Sequence, residues 1–178
     1  MNLKLRTATS LDIDRICQLV NSAYRGDYSK QGWTTEAGLL DGQRTDPKTL
    51  REDLMTPGHS MELLLDEEET LLGCVYLRDE APESLYFGML TVEPTRQGGG
   101  FGKILLDHIE AIAKTKKKKV IRMTVIDQRA ELIAFYRRRG FEFTGHVEPF
   151  PMDDPKFGIP KQRLELLVFE KKILTGSA

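Results

Sequence analysis

The residues best suited to chemistry stand at 97–103: Gln97, Gly98, Gly99, Gly100, Phe101, Gly102 and Lys103. An apolar, β-rich run at 85–92 precedes them, Pro94 stops that strand, and 104–109 reads as the opening of a helix. A strand, a glycine turn and a helix start aim several backbone N–H groups and the positive end of a helix dipole at one point. That is a site for phosphate or pyrophosphate. Glycine is needed there because side chains would hold the anion off the backbone and because tight turns often demand positive φ.

Two common phosphate loops do not fit. A nucleotide P-loop needs Gly five residues before Gly102 and Ser or Thr after Lys103, but Gln97 and Ile104 stand there. The dinucleotide pattern G-x-G-x-x-G would need Gly where Lys103 or Leu105 is found. What fits is Gln97-x-x-Gly100-x-Gly102 after Val92-x-Pro94, which resembles the acyl-CoA-binding motif Q/R-x-x-G-x-G/A of the GNAT N-acyltransferase superfamily. Tyr136-x-x-x-Gly140-Phe141 is similar to a second signature of that superfamily, reached after a strand at 120–126.

The resemblance implies an acetyl-CoA-dependent N-acetyltransferase acting on a primary amine. Its site would bind acetyl-CoA through 97–103, with the pantetheine arm along Leu90, Thr91 and Val92 like an added strand and Tyr136 as general acid. A backbone N–H near Leu90 would receive the thioester oxygen. Arg129 stands where many members carry an Asn that bonds the pantetheine, so its role is left open. For the general base, Glu83, Glu36 and a water relay all remain candidates. The acceptor groove would be walled by Tyr24, Trp33, Glu36, Arg44 and Phe150. In that groove Arg44 suits a carboxylate and Glu36 an ammonium, which points to an amino-acid-like or polyamine-like molecule, a small amine in either case. The alternatives are a non-catalytic acyl-CoA sensor and a protein lysine or N-terminal acetyltransferase.

The elements that must position these groups follow from periodicity. Residues 3–6 alternate as a short strand, and Thr9-Ser10 with Asp12 and Asp14 opens an amphipathic helix. Residues 27–45 lack periodicity and read as a long loop; Asp46-Pro47 starts a second helix. A hairpin spans 61–66 and 71–78 around Glu67-Glu68-Glu69, the last strands lie at 141–147 and 164–171, and 148–160 is a proline-rich connection. This order matches the GNAT fold, and the resemblance implies an α+β (mixed α/β) architecture with a central mixed twisted sheet of six to seven strands and helices on both faces. Its fourth and fifth strands should splay apart after Val92. One domain at 1–172 and a C-terminal tail at 173–178 are expected.

Lys and Arg number 26 against 27 Asp and Glu, a net charge of -1, which recommends neither nucleic acid nor an anionic membrane as partner. The lysine run 116–119 ends a helix, where cations suit the dipole. Cys17 and Cys74 sit in apolar patterns as buried hydrophobes, and the three histidines have no ligand spacing, so no metal is expected. With no apolar leader, a cytoplasmic protein, monomeric or homodimeric, is the expectation.

Overall fold

The computed structural model describes residues 2–174; Met1 and 175–178, most of the expected tail, lie outside. Strand β1 (Lys4–Thr7) leads to helix α1 (Ile13–Tyr24), one turn of helix α2 (Gly26–Ser29), strand β2 (Leu40–Asp41) and helix α3 (Pro47–Met55). The strands β3 (His59–Leu65), β4 (Leu71–Ala81) and β5 (Ser84–Val92) then form a meander that ends at helix α4 (Phe101–Thr115). Strand β6 (Val120–Ile126), helix α5 (Ala130–Arg137) and strands β7 (Glu142–Pro149), β8 (Ile159–Pro160) and β9 (Glu165–Lys172) complete the order. Among the described residues no helix is long and apolar enough to cross a membrane.

The main sheet has seven strands in the order β1-β3-β4-β5-β6-β9-β7. Only β5 and β6 run parallel, joined by the crossover through α4. Strand alternation sends Met61, Leu63 and Leu65 of β3 toward Ile16, Val20 and Ala23 of α1 and Leu50 of α3. Leu64 of β3 with Val75 and Leu77 of β4 faces Leu105, Leu106 and Ile109 of α4. Helices therefore cover both faces, and a core lies on each side. Ile173, past β9, still packs into the α4-side core, its N–H bonded to the Lys119 carbonyl at 2.7 Å.

The splay opens earlier than expected. β5 and β6 pair only from Ser84↔Val120 to Tyr86↔Arg122, so they part after Tyr86 rather than after Val92. The cause lies in β5. Its pairing with β4 steps from Tyr76↔Gly88 to Cys74↔Thr91, so Met89 and Leu90 together stand opposite Val75. Met89 accommodates this bulge at φ +48°, a left-handed conformation uncommon for a side chain of its size. The bulged strand bends away from β6 and leaves a slot.

The expected loop at 27–45 is not wholly irregular. Leu40 and Asp41 pair antiparallel with Pro160 and Ile159 in a second, two-stranded sheet. A two-residue strand is too short to show alternation, so sequence periodicity could not reveal it. Gly158 is required beside it: a Cβ there would stand 3.0 Å from both Arg25 Nη2 and the Asp41 carbonyl, at φ +98°.

Candidate active site

At the glycine turn, Gly98 and Gly100 take φ of +87° and +83°, and a Cβ on either would meet nothing within 4 Å. Glycine is demanded by backbone conformation, and the space before it is open to a ligand. Gly100 is also the N-cap of α4 and has no side chain to satisfy the first N–H groups of that helix. These groups border a cavity of about 300 Å³ that Gly102, Lys103, Arg138 and Arg139 also line. Gly102 is fixed by packing instead, since a Cβ there would lie 3.3 Å from the Phe135 ring. The cavity accepts an anion on chemical grounds. Arg139 lies 3.6 Å over the Phe135 ring and its buried Nε has no partner. Burial and the neighbouring Arg138 lower its pKa, as expected of a cation without a counter-ion.

Not every residue of the glycine segment faces this cavity with its side chain. The Gln97 amide accepts from the backbone N–H of Trp33 at 2.8 Å and of Thr34 at 3.3 Å. It donates to Thr34 Oγ1 at 2.8 Å and to the Val92 carbonyl at 3.1 Å. Gln97 thus ties the 30s loop to the end of β5. Phe101, Leu90 and Val92 line the cavity. Thr91 is turned into the core with its hydroxyl on the Met89 carbonyl, 2.9 Å away, and Gly99 is not among the lining residues. Trp33 packs on Phe135, ring centroids 5.6 Å apart, and borders this cavity.

A second cavity of about 370 Å³ opens where β5 and β6 part, walled by residues 88–90 and 123–126, and Tyr24, Glu36, Arg44 and Phe150 line it, but Trp33 does not. The two cavities share Tyr24, Leu90, Arg129 and Leu132. At this junction the Tyr24 hydroxyl donates to the Leu90 carbonyl at 2.5 Å. Burial raises the Tyr24 pKa, and the nearby Glu36 adds to the rise.

Tyr136 also faces the second cavity. Its ring sits among Phe135, Phe141 and Phe87, at centroid distances of 5.3, 5.7 and 5.9 Å. Its hydroxyl has no hydrogen-bond partner among the described residues. Burial in this aromatic box raises its pKa far above the ordinary phenol value, the Tyr24 phenol adding to the rise and Arg129 opposing it. The proton is therefore secure at any physiological pH and unclaimed by the protein.

The two carboxylate candidates for a base are placed quite differently from one another. Glu83 precedes β5 and pairs with Lys119, at the end of the strand away from Leu90. Seven residues along the strand put it about 20 Å from the junction, out of reach of chemistry there. Glu36 is buried in the second cavity, yet Arg25 Nη1 holds one of its oxygens and Arg129 Nη1 the other, the latter at 2.9 Å. Arg129 further donates to the Thr34 carbonyl at 2.5 Å. Sequence reasoning left Arg129 open because its partner lies 93 residues away. It passed over Arg138 and Arg139, whose only visible signal was a run of three arginines at 137–139.

The cysteines and histidines stay out of the site. Cys74 is fully buried, which pushes its thiol up to about 12, and Cys17 is raised by burial as well. Among the described residues no group of His, Cys, Asp and Glu could hold a metal ion.

Comparison with known proteins agrees with this geometry. The profile of the acetyltransferase (GNAT) family matches residues 14–141. The chain is similar to the peptidyl-lysine N-acetyltransferase YjaB of Salmonella typhimurium, 24% identical over 120 residues, covering 64% of this chain and 75% of that protein. Its fold is similar to that of spermidine N-acetyltransferase from Vibrio cholerae, solved with CoA and spermine. The TM-score is 0.71 at 18% identity, over 96% of this chain and 95% of that one. It is similar too to yncA from Salmonella typhimurium, solved with its cofactor acetyl-CoA, at a TM-score of 0.69 and 21% identity over 100% and 98% of the two chains. A glycine turn at a helix start, two cavities meeting over a bulged strand and a family profile that runs from α1 through both signatures lead to one statement: the chain belongs to the acetyltransferase (GNAT) family and is an acetyl-CoA-dependent acyltransferase.

Proposed function

We propose that the chain transfers the acetyl group of acetyl-CoA to the primary amine of a small acceptor, by direct attack in a ternary complex. The observation that carries this reading is the meeting of the two cavities at Tyr24, Leu90, Arg129 and Leu132, with the unpartnered Tyr136 hydroxyl beside the junction. Acetyl-CoA, when bound, supplies the thioester carbonyl that an amine attacks. Gly98, Gly100 and the start of α4 offer backbone N–H groups to its phosphates, with Lys103, Arg138 and Arg139 supplying charge. The slot between β5 and β6 leaves main-chain groups of Leu90 to Val92 for the pantetheine arm. The bulge frees the Leu90 N–H to face developing negative charge on oxygen, and Tyr136 holds a proton ready for the leaving sulfur.

Both carboxylates on the acceptor cavity are held by arginines: Glu36 as described, and Glu148 by Arg122 Nη2 at 2.7 Å. Water in the cavity therefore takes the amine's proton, with no side-chain base. A second reading, a peptide lysine or N-terminal amine as acceptor, is favoured by the peptidyl-lysine relative. The cavity of about 370 Å³ favours a small molecule.

The test is thiol release from acetyl-CoA against a panel of small amines and amine-bearing peptides, with the product weighed by mass spectrometry. Equal amounts of free CoA and acetylated amine are expected for small amines. Stoichiometric CoA binding with no thiol release on any amine or peptide would make the chain a sensor instead.

A further inference from the structure

Resting on the acetyl-transfer reading above, we infer that the acceptor carries an acidic group, a carboxylate, phosphonate or phosphate, and that Arg44 is the residue that receives it. The charge on the walls of the acceptor cavity leads there. Arg25, Glu36 and Arg129 form a closed set of two guanidiniums and one carboxylate, which leaves one positive charge. Glu148 accepts from Arg122, which also bonds Glu80, and Glu80 pairs with Arg78, so that set of two carboxylates and two guanidiniums is balanced. Arg44 remains, and among the described residues no carboxylate lies within ion-pair distance of it and its guanidinium makes no hydrogen bond.

Arg44 is also held in place for the task. The Asn21 side-chain oxygen accepts from the backbone N–H of Arg44 at 2.7 Å and of Thr45 at 3.1 Å, so the main chain is pinned to α1. The guanidinium lies over the Tyr24 ring, 6.0 Å from its centroid. The hydroxyl of that same ring is bonded to Leu90, where the amine must arrive. One tyrosine therefore spans the distance between the reacting end of the cavity and the free cation. A half-buried, unpaired guanidinium at the end of a small cavity favours a planar or tetrahedral oxyanion that can accept two parallel N–H bonds.

The same inventory disfavours a polyamine. Every positive charge on such an acceptor beyond the reacting amine would need a wall carboxylate, and both present are already held by guanidiniums. Repulsion from Arg44 and from the surplus charge of the Arg25–Glu36–Arg129 set adds to this cost.

The experiment compares acceptors that differ only in the remote group: β-alanine, 3-aminopropylphosphonate, β-alaninamide and 1,3-diaminopropane, and the common amino acids beside their amides. Wild type is expected to favour the acid over the matched amide in kcat/KM by about ten- to a hundredfold, the range of a charge-assisted bidentate pair. In Arg44→Ala this ratio should collapse toward one, and Arg44→Lys should restore part of it. CoA affinity, read by calorimetry, should hold in both variants, which shows that they fold. Calorimetric titration of 3-phosphonopropionate and glutarate into the CoA-loaded protein gives a readout without turnover: binding to wild type and loss in Arg44→Ala are expected. Preference for the diamine or amide in wild type, or an acid preference that survives Arg44→Ala, overturns the inference. If no amine of any kind releases thiol, acetyl transfer itself fails, and the acid titration alone then decides for or against Arg44.

Discussion

The Tyr24 hydroxyl donates a hydrogen bond to the Leu90 carbonyl at 2.5 Å, joining the last residue of α1 to the bulge of β5. The bulge takes Met89 and Leu90 out of regular register with β4, so the Leu90 carbonyl needs a partner from elsewhere. Tyr24→Phe keeps the ring under Arg44 and removes only that partner. We expect a stability loss of about 1–3 kcal/mol, the cost of leaving a buried acceptor unmade, with kcat falling more than KM rises. Urea unfolding and steady-state kinetics on one preparation check this. An unchanged kcat would show that the bulge holds its shape without the phenol.

Tyr136→Phe separates catalyst from scaffold. The aromatic packing survives, so stability and CoA affinity should barely move, whereas turnover should fall about a hundredfold, within the usual contribution of positioned proton transfer. A fall in CoA affinity instead would make the hydroxyl a ligand contact.

The pH profile follows from the same burial. In the proposed role Tyr136 is the acid, and because its pKa is raised the active form would persist well above neutrality. The profile of kcat/KM should therefore climb from pH 6 toward the pKa of the acceptor amine and show no descending limb below about pH 10, the ordinary phenol value. A descending limb near pH 8, read from initial rates in constant-ionic-strength buffer, would exclude Tyr136 as the acid.

Gly100 sits at φ +83°, so any side chain there strains the backbone as well as entering the anion space. Gly100→Ala should cost about 1 kcal/mol of stability and lower CoA affinity at least tenfold. Circular dichroism and calorimetry together distinguish an unfolded variant from a folded one that no longer binds. Unchanged affinity in folded Gly100→Ala would place the phosphates elsewhere.

Asp12 anchors the start of α1. It accepts from Arg6 Nη1 and Nη2, both at 2.8 Å, and from the Thr9 N–H at 2.8 Å, and is buried. The Arg6 hydrogen bonds hold its carboxyl far below the usual range, against the opposing effect of burial. A depressed folded pKa adds stability that is present above the unfolded value near ~3.9 and is lost as pH falls through the folded value. Asp12→Asn should cost about 2 kcal/mol at pH 7, and the gap to wild type should narrow steadily below about pH 4. Denaturant melts across that range read the gap directly.

Much of this protein was legible in the chain, because the signals concerned are local. The glycine turn announced itself through residue types that only a tight, anion-facing backbone requires, and the 3.6-residue spacing of Ile13, Ile16, Val20 and Ala23 set the buried face of α1. The order of long strands and helices followed from similar short-range patterns.

What the tertiary structure alone decided was which groups meet across long stretches of chain. Glu36 is an acid in an unpatterned loop until the fold brings Arg25 and Arg129 to its two oxygens. Gln97, read from its motif as a ligand residue, lines the glycine-turn cavity and also ties the 30s loop to the end of β5, a link across 63 and 64 residues of chain. Arg44 could be read from the sequence as suiting a carboxylate, but that it is the unpaired cation of the cavity wall emerges only when the other charges there are found paired. The bulge at Met89 and the parting of β5 from β6 after Tyr86 also depend on neighbouring strands rather than on local propensity. Backbone propensity and periodicity reach only a few residues along the chain. Charge pairing, register and cavity shape are fixed when distant segments pack together, and there the chemistry of this site is decided.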